Sequence, residues 1–417
     1  MAEAIKKKRI LIYSLVFSPD GVSTAYLYND LALGFQKKGH EVCVLTTTPH
    51  YNLINESLDK QPLKKRFLGL FYISDFNGIK VYHIPLKKYK DTLFRILSFV
   101  YWHKMSFLIG LFLKRPDVIL TPSPPLTSGF LAILLAKIKG AKTIYNVQEI
   151  YPDLLIHLGH LKNTFLINIL KKLERWVYND SDAVTTIDKQ FYNTIKPRIK
   201  EKSSLHIIPN FVDTDLYEME SSMKLPAEFV SVSGNTNILY AGNIGLAQEW
   251  DLVLELAREL KKQPITIWII GEGVKKEYLK SQIETRQLSN IKLLPYQNRK
   301  FMPAINLFAD FHFIAMDKSM ENEGFPSKVY TIMASGKPMV VVSSEQTPIT
   351  SFLKETETAL LVTDHSLSGF KNAVLKLTSD KDLRDSLGAN GRKIIEQKYT
   401  KEQVINQYTD LVENICK

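Results

Sequence analysis

Short apolar runs that alternate with helix-patterned stretches constrain the fold of this chain more than any other feature. The first such unit has an apolar run at 10–17, a helix-patterned stretch over 22–38 and a second apolar run at 42–46. The same alternation recurs at 118–120, 142–147, 237–240, 265–270, 291–294, 311–314 and 338–342. Strands that alternate with helices in this way are typical of parallel sheets covered by helices on both faces.

The alternating units form two series. A turn at Pro209-Asn210 and a polar stretch over 218–237 separate them. A chain of 417 residues is also too long for one compact core and suits two domains of about 200 residues each. We therefore predict an α/β protein in which two doubly wound domains face each other across a cleft.

The composition excludes several classes of protein. With 45% hydrophobic and 23% charged residues, the chain is neither disordered nor fibrous. Cys43 and Cys416 are its two cysteines, which excludes a disulfide framework and a cysteine-rich zinc site. The basic start at 6–9 precedes only eight apolar residues and then Pro19-Asp20-Gly21, so we interpret it as a buried first strand. We expect a cytosolic protein without a targeting signal.

The positive charge is concentrated in the first half of the chain. Residues 1–200 contain 29 Lys and Arg against 15 Asp and Glu, whereas the whole chain has a net charge of +11. A basic surface suits phosphate-bearing ligands, nucleic acid or an anionic membrane. No helix-turn-helix, RNA-binding aromatic box or zinc finger accompanies this charge, which disfavours nucleic acid.

Residues 93–113 form a nearly continuous apolar segment, interrupted by Arg95, His103 and Lys104. These charges would be costly in the middle of a bilayer. Dense aromatic residues, Trp102 among them, and flanking lysines favour a pair of interfacial helices on an anionic membrane. A buried core helix and a transmembrane helix are the alternatives. We assign Arg95, Trp102 and Lys104 to contact with an acceptor or a membrane.

In open parallel sheets, ligands bind beyond the carboxyl ends of the strands. Gly21 and Val22 follow the first predicted strand, where a glycine allows close approach of a ligand to the backbone. Gly271-Glu272-Gly273 follows the strand at 265–270, but Lys276 stands where a dinucleotide fingerprint has its third glycine. This segment is equally well explained as a tight turn or as a phosphate cradle.

The segment 321–342 is the most informative. Ser327 is predicted to cap a helix that ends at Gly336, and Lys328 lies in the first turn of that helix. A cation is disfavoured there by the helix dipole, and a bound diphosphate would compensate for it. Lys328 could instead point to solvent. Glu323 could accept hydrogen bonds from sugar hydroxyls or simply compensate the dipole.

Several segments together resemble one family. In chain order they are SPDGV at 18–22, GHEV at 39–42, TPSPPL at 121–126, VQEIYPD at 147–153, IPNFVD at 208–213, YAGNIG at 240–245, IGEG at 270–273 and EGFPSKVYTIMASGKP at 323–338. The chain resembles retaining glycosyltransferases of family 4, whose GT-B fold has two facing Rossmann-like domains. Within that family it is most similar to the bacterial transferases of O-antigen, colanic acid and capsule assembly, over almost its full length.

The resemblance implies a domain plan. Residues 1–205 would bind the acceptor, 206–217 would cross between domains, and 218–395 would bind the nucleotide sugar. Residues 396–417 would form a helix that packs back on the first domain.

The resemblance also implies a donor site. Glu323 matches the first glutamate of the family's E-x7-E motif, which contacts the donor sugar, whereas Thr331 replaces the second glutamate, which binds the ribose. Asn243 replaces an arginine that binds the diphosphate in many members, which leaves Lys328 to supply positive charge. The other implied donor residues are Gly21, Val22, Gly271, Glu272, Gly273, Pro295, Tyr296, Gly324, Phe325, Pro326 and Ser327.

In the family's reaction the leaving phosphate accepts the proton of the acceptor, so no protein nucleophile is required. We assign catalytic roles to Glu323, Lys328 and Glu149, the last of which lies in a loop where some relatives have a histidine. Asp213-Thr214-Asp215 is interpreted as a turn in the crossing, and the histidines lack metal-binding spacing. We expect neither a metal nor a cofactor.

The resulting prediction is a retaining transferase that moves a sugar, of the N-acetylated hexosamine type, from a UDP-sugar to a lipid-diphosphate-linked saccharide in surface polysaccharide synthesis. It would act at the inner face of the cell membrane. Two alternatives remain: a weakened sugar-nucleotide-binding partner subunit, which the replacements at Thr331 and Asn243 motivate, and a UDP-sugar 2-epimerase of the same fold.

Overall fold

The computed structural model describes residues 7–50, 55–87, 89, 91–200, 204–217, 225–319, 321 and 325–417. The chain divides into two compact units. The first comprises Met1–Asn210 and Glu402–Lys417, and the second comprises Phe211–Lys401. Both units are built on largely parallel sheets, so the predicted α/β class with two Rossmann-like domains is confirmed.

The sheet of the first unit has the order β3-β4-β5-β2-β1-β6-β7-β8-β9 among the described residues. The hairpin strands β3 and β4 pair antiparallel, and all pairs from β5 to β9 are parallel. The strands are β1 Arg9–Tyr13, β2 Glu41–Thr47, β3 Lys64–Arg66, β4 Phe71–Phe76, β5 Ile79–Ile84, β6 Val118–Ser123, β7 Lys142–Val147, β8 Ala183–Thr186 and β9 Ser204–Ile207.

Helices cover this sheet. They are α1 Ser23–Lys37, α2 Asn55–Lys60, α3 Thr92–Phe112, α4 Leu126–Lys139, α5 Asp153–His157, α6 Thr164–Asp180, α7 Lys189–Ile195 and the last helix of the chain, α15 Lys401–Ile415. Helix α15 packs closely on α1, because a Cβ atom added to Gly34 would lie 2.4 Å from Ile405 Cδ1. The Tyr408 hydroxyl also accepts a hydrogen bond of 2.9 Å from the buried Asn146 amide on β7.

The sheet of the second unit is entirely parallel, with the order β12-β11-β10-β13-β14-β15. Its strands are β10 Thr236–Ala241, β11 Ile265–Ile270, β12 Ile291–Leu294, β13 Phe311–Ala315, β14 Met339–Val342 and β15 Ala359–Val362. Its helices are α8 Trp250–Glu259, α9 Lys276–Thr285, α10 Met302–Phe308, α11 Lys328–Ala334, α12 Pro348–Thr356, α13 Leu367–Ser379 and α14 Lys381–Lys398.

Side chains of β10 alternate between two cores, as expected of a strand covered on both faces. Ile238 and Tyr240 pack with α8 and α13, whereas Leu239 packs with Trp268 and Ile305 on the opposite face. Because every strand of this sheet runs in the same direction, the loops that follow the strands meet at one edge. That edge contains the segments predicted to bind the donor.

Candidate functional site

The loops after β10, β11 and β12 form a tight, hydrogen-bonded cradle in the second unit. The Gly242 amide donates to the Ile270 carbonyl (2.9 Å), and the Gly271 amide donates to the Leu294 carbonyl (3.2 Å). The Ile244 amide donates to the Glu272 carbonyl (2.8 Å). The structure therefore brings the predicted donor residues Asn243, Gly271, Glu272, Gly273, Pro295 and Tyr296 to neighbouring loops.

Gly271 is required for this loop contact. A Cβ atom at position 271 would lie 1.8 Å from the Gly242 carbonyl oxygen, and the φ angle of Gly271 is +152°. No side chain fits at that distance from backbone. The contact between the two loops explains the glycine at position 271, and the role of the Gly-Glu-Gly segment as a phosphate cradle stays a prediction.

The Glu272 side chain already has protein partners. It is exposed, and its Oε1 atom lies 2.6 Å from Lys276 Nζ and accepts a long hydrogen bond (3.5 Å) from the Tyr296 amide. The hydrogen bond from Lys276 is the main reason why the pKa of Glu272 is lowered. Glu272 is therefore an ionised surface group that holds its loop to the loop after β12.

Lys328 points into the protein, and this excludes the solvent-facing alternative. Its Nζ atom lies 3.6 Å from the centroid of the Tyr240 ring on β10. A Cβ atom added to Gly242 would come within 2.7 Å of the same nitrogen. Burial lowers the pKa of Lys328 to about 7. Within the described part of the chain, no carboxylate lies within ion-pair distance of this amine.

Ser327 does not cap α11, contrary to the prediction. Its backbone is already helical (φ −56°, ψ −21°), and its side chain makes no capping hydrogen bond. The helix instead begins with tight turns, in which the Val329 amide donates to the Pro326 carbonyl (3.0 Å) and the Tyr330 amide to the Ser327 carbonyl (3.2 Å). With seven residues, α11 is also short.

The hydroxyl of Thr331 has protein partners at the position of the family's second glutamate. It donates to the Lys328 carbonyl (2.9 Å) and is also hydrogen-bonded to the buried Tyr217, whose pKa burial raises to about 12. Phe325 packs against Tyr330 and Phe352, with ring centroids 5.2 and 5.1 Å away. Pro326 adjoins this aromatic cluster and is half-buried, whereas Glu323 and Gly324 lie outside the described residues.

A second group of side chains at the same edge was not predicted. His365, after β15, lies between Glu249, after β10, and Glu321, after β13. The distances are 2.9 Å from Nδ1 to Glu249 Oε2 and 3.1 Å from Nε2 to Glu321 Oε2. The three residues are far apart in sequence and match no motif. Each of them follows a strand of the same parallel sheet, and this is the one signal from which their proximity could have been predicted.

The first unit contains the remaining predicted site residues. Gly21 and Val22 precede α1, and Val22 occupies the N-cap position with extended backbone and no side-chain cap. Glu149 follows β7, where the Ser123 hydroxyl donates to its carbonyl (2.8 Å). Burial raises the pKa of the Glu149 carboxyl, although a hydrogen bond with Tyr151 opposes this effect. The catalytic role of Glu149 stays a prediction.

The segment 93–113 forms one continuous helix, α3, rather than the expected pair. Arg95 and Lys104 are exposed, but Trp102 is completely buried and stacks on Tyr13 (5.7 Å). The assignment of Trp102 to membrane contact is therefore wrong, since this residue belongs to the core between α3 and β1. The other face of α3 exposes large apolar side chains: Leu93, Phe94, Ile96, Leu97, Val100, Leu108 and Phe112.

Two features are absent from the described residues. None of the helices described is long and apolar enough to cross a bilayer. Nor does any group of three or more His, Cys, Asp or Glu side chains in those parts of the chain have an arrangement that could hold a metal ion.

Comparisons with known proteins agree with this arrangement. The family described as "Glycosyltransferase Family 4" matches residues 25–216, and "Glycosyl transferases group 1" matches residues 224–394. A curated Escherichia coli K12 protein, described as a colanic acid biosynthesis glycosyl transferase (WcaI), is 25% identical over 362 residues, 82% of this chain and 84% of its own.

Solved structures of similar fold cover nearly the whole chain. Sucrose-phosphate synthase from Thermosynechococcus elongatus has a TM-score of 0.74 at 13% identity, covering 98% of this chain and 99% of its own. Anabaena HepE in complex with UDP-glucose has a TM-score of 0.70 at 13% identity, covering 98% of this chain and all of its own. At this level of identity the likeness establishes the fold.

Proposed function

The chain belongs to glycosyltransferase family 4 and has the GT-B fold, and from this premise we propose that it transfers a sugar with retention from a UDP-sugar to a lipid-diphosphate-linked saccharide. It is a glycosyltransferase of bacterial surface polysaccharide biosynthesis. We propose an N-acetylated hexosamine as the sugar because the chain resembles the bacterial transferases of O-antigen, colanic acid and capsule assembly.

One observation carries the donor proposal: the Lys328 amine lies over the Tyr240 ring at the loop cradle, and none of the described carboxylates is within ion-pair distance of it. A buried cation without a counter-charge is unfavourable, and this cost is reflected in its pKa of about 7. A bound diphosphate would supply the missing negative charge beside the backbone of Gly242. The UDP and UDP-glucose in structures of Anabaena HepE support the choice of uridine nucleotide.

The same amine has a role in the reaction. As the bond between sugar and phosphate breaks, negative charge develops on the leaving diphosphate, and a fixed cation stabilises that charge more than it stabilises the ground state. Lys328 is therefore proposed to stabilise the leaving group. Glu149, in the first unit, is proposed to accept a hydrogen bond from the acceptor hydroxyl, for which a carboxyl with a raised pKa is suited.

The acceptor proposal relies on the surface of the first unit. The exposed face of α3 carries Leu93 and Phe94, which are 63% and 57% exposed, and cationic residues such as Arg95 and Lys104 accompany them. Phe67 and Leu68 form a second exposed apolar element, directly after the cationic strand Lys64–Arg66. The same loop is tied to α3, because the Leu70 carbonyl accepts a hydrogen bond from the Tyr101 hydroxyl (3.2 Å). Apolar surface beside cations suits an anionic lipid interface.

The first experiment is a thermal-shift screen against UDP, GDP and their sugars without added metal, on wild type, Lys328→Met and Lys300→Met. Lys300 is an exposed lysine over the Phe301 ring (5.1 Å) and serves as the matched control. We expect UDP and one UDP-sugar to raise the Tm of wild type and Lys300→Met but not of Lys328→Met. A shift with GDP alone would contradict the proposed nucleotide.

The internally bonded Thr331 hydroxyl favours a second candidate, a nucleotide-sugar-binding subunit without strong activity of its own. Absence of any shift at millimolar nucleotide would bring that candidate forward. Turnover of a UDP-sugar without acceptor would instead indicate a 2-epimerase.

A further inference from the structure

His365 connects two loops of the second unit through two carboxylates. Its side chain and that of Glu321 are buried, whereas the Glu249 side chain is about one-third exposed. Glu321 Oε2 also accepts a hydrogen bond from the Ser344 amide (2.8 Å). The cluster therefore joins the loops after β10, β13, β14 and β15 at a single point.

The His365 ring lies between the two carboxylates. Its Nδ1 and Nε2 atoms are each within hydrogen-bond distance of a carboxylate oxygen, and Nε2 also lies 3.3 Å from the Ser344 hydroxyl. The ring thus holds together two groups that would otherwise repel each other. Burial opposes ionisation of Glu321, yet hydrogen bonds from Ser344 and His365 lower its pKa.

The backbone at His365 is also unusual. Its φ angle is +55°, in the left-handed region that residues other than glycine adopt rarely and at some energetic cost. Such strain persists where surrounding contacts over-determine the conformation. The residue with this backbone conformation is the one whose ring contacts Glu249 and Glu321.

The two connected loops lead directly to the proposed donor site. The loop that starts at Gly242 ends at Glu249, whose amide donates to the Ala315 carbonyl (2.9 Å). In return, the Asp317 amide donates to the Ala247 carbonyl (3.1 Å). Glu321 lies in the segment that continues from β13 to Lys328.

We propose that His365 is a positioning residue for the donor: its ring, by bridging Glu249 and Glu321, fixes the loop after β10 relative to Glu321, which precedes Lys328 by seven residues. This inference rests on the proposed donor site. The role of His365 is to hold loops rather than to contact reacting atoms.

The test compares His365→Gln, Glu249→Gln and the double variant by calorimetric titration with UDP. His365→Gln removes the ring that bridges the buried Glu321 and the partly exposed Glu249 carboxylates, so we expect UDP binding to weaken about tenfold, as the loss of hydrogen bonds to charged groups implies. Adding Glu249→Gln removes one of those charges, and we expect it to restore binding to within about threefold of wild type. If His365 had a merely structural role, the losses of UDP affinity in the two single variants should add up in the double variant.

Lys371→Gln is the matched control, because Lys371 of α13 and Glu259 of α8 form a surface ion pair (3.1 Å) between the helices that follow His365 and Glu249. This variant should bind UDP like wild type. Wild-type affinity in His365→Gln, or a double variant weaker than His365→Gln, would overturn the proposal.

Hydrogen exchange provides a readout that needs no ligand. In His365→Gln, the amides of Glu249 and Asp317 should exchange at least about tenfold faster, while those of β1 and β2 should not change. If wild type binds no UDP, the proposed donor fails, and the exchange rates still decide whether His365 holds the loops. Unchanged exchange of Glu249 and Asp317 would refute that role.

Discussion

The Nζ atom of Lys328 lies 3.6 Å from the centroid of the Tyr240 ring. A cation over an aromatic face is stabilised by the ring quadrupole, but by less than a carboxylate would provide. Among the described residues the ring is the principal partner of this amine, and burial accordingly lowers the pKa of Lys328 to about 7. The amine is consequently available to a bound anion.

This relationship predicts how nucleotide affinity depends on pH. Above pH 7 the free Lys328 loses its proton, and diphosphate binding must take one up. Between pH 7 and 9, where the nucleotide is fully ionised, the affinity for UDP should fall by up to about tenfold per pH unit. Titration calorimetry in buffers of different ionisation enthalpy measures both the affinity and the proton uptake. Lys328→Arg, which stays charged, should abolish the dependence; a dependence that persists in this variant would assign it to another group.

The same shift predicts the pH dependence of stability. The folded-state pKa of Lys328, about 7, lies below its ordinary value of 10.5. Between these values the unfolded chain binds the proton and the folded chain does not, so this residue lowers the stability of the unliganded protein as pH falls from 10.5 to 7. The contribution changes by at most about 1.4 kcal/mol per pH unit. Lys328→Met should remove this pH dependence and be more stable than wild type in urea at pH 7, whereas Lys300→Met should have the same stability as wild type.

Gly271→Ala should disrupt the loop cradle. The new Cβ atom would lie 1.8 Å from the Gly242 carbonyl oxygen, and backbone cannot move aside as a flexible side chain can. We expect a loss of about 2 kcal/mol or more in the free energy of unfolding, together with weaker UDP binding. Gly234→Ala is the control, since Gly234 also has a positive φ angle (+83°) but no heavy atom would lie within 4 Å of its Cβ. Equal losses in the two variants would show that strain, not the loop contact, is responsible.

The two faces of α3 should respond differently to substitution. Trp102→Ala removes a completely buried side chain and should cost about 3–5 kcal/mol of stability. Leu97→Glu alters a side chain that is 53% exposed and should change stability by less than about 0.5 kcal/mol.

Co-sedimentation with vesicles rich in phosphatidylglycerol tests the exposed face. Leu97→Glu should reduce the bound fraction several-fold by placing negative charge at the lipid surface. Equal sedimentation of wild type with neutral and anionic vesicles would contradict the proposed membrane contact.

The strands were predictable because apolar runs bounded by turn residues are long and regular in this chain, as for β11 at Ile265–Ile270. Because the strands are parallel, the loops after them could be predicted to meet at one edge of the sheet, and Lys328 could be predicted to lie at that edge. The orientation of α3 did not follow, since a helix that is apolar on all sides does not reveal which face is buried. Trp102 was misassigned for this reason.

Side-chain partners were the least predictable part of the site. Ser327 has the residue type of a cap, but the tight first turn of α11 leaves its hydroxyl without that role. The cluster of Glu249, Glu321 and His365 depends on the order of strands in the sheet, which no local pattern of the sequence specifies.

The packing of α15 on α1 affects the order in which the chain can fold during synthesis. Ile405 and Tyr408 of α15 follow the whole second unit in sequence, yet they contact Gly34 and Asn146 of the first unit. The second unit, by contrast, is formed by one continuous stretch, Phe211–Lys401. The first unit therefore cannot be completed before the second unit has been synthesised, and until then the buried Asn146 amide lacks its hydrogen bond to Tyr408.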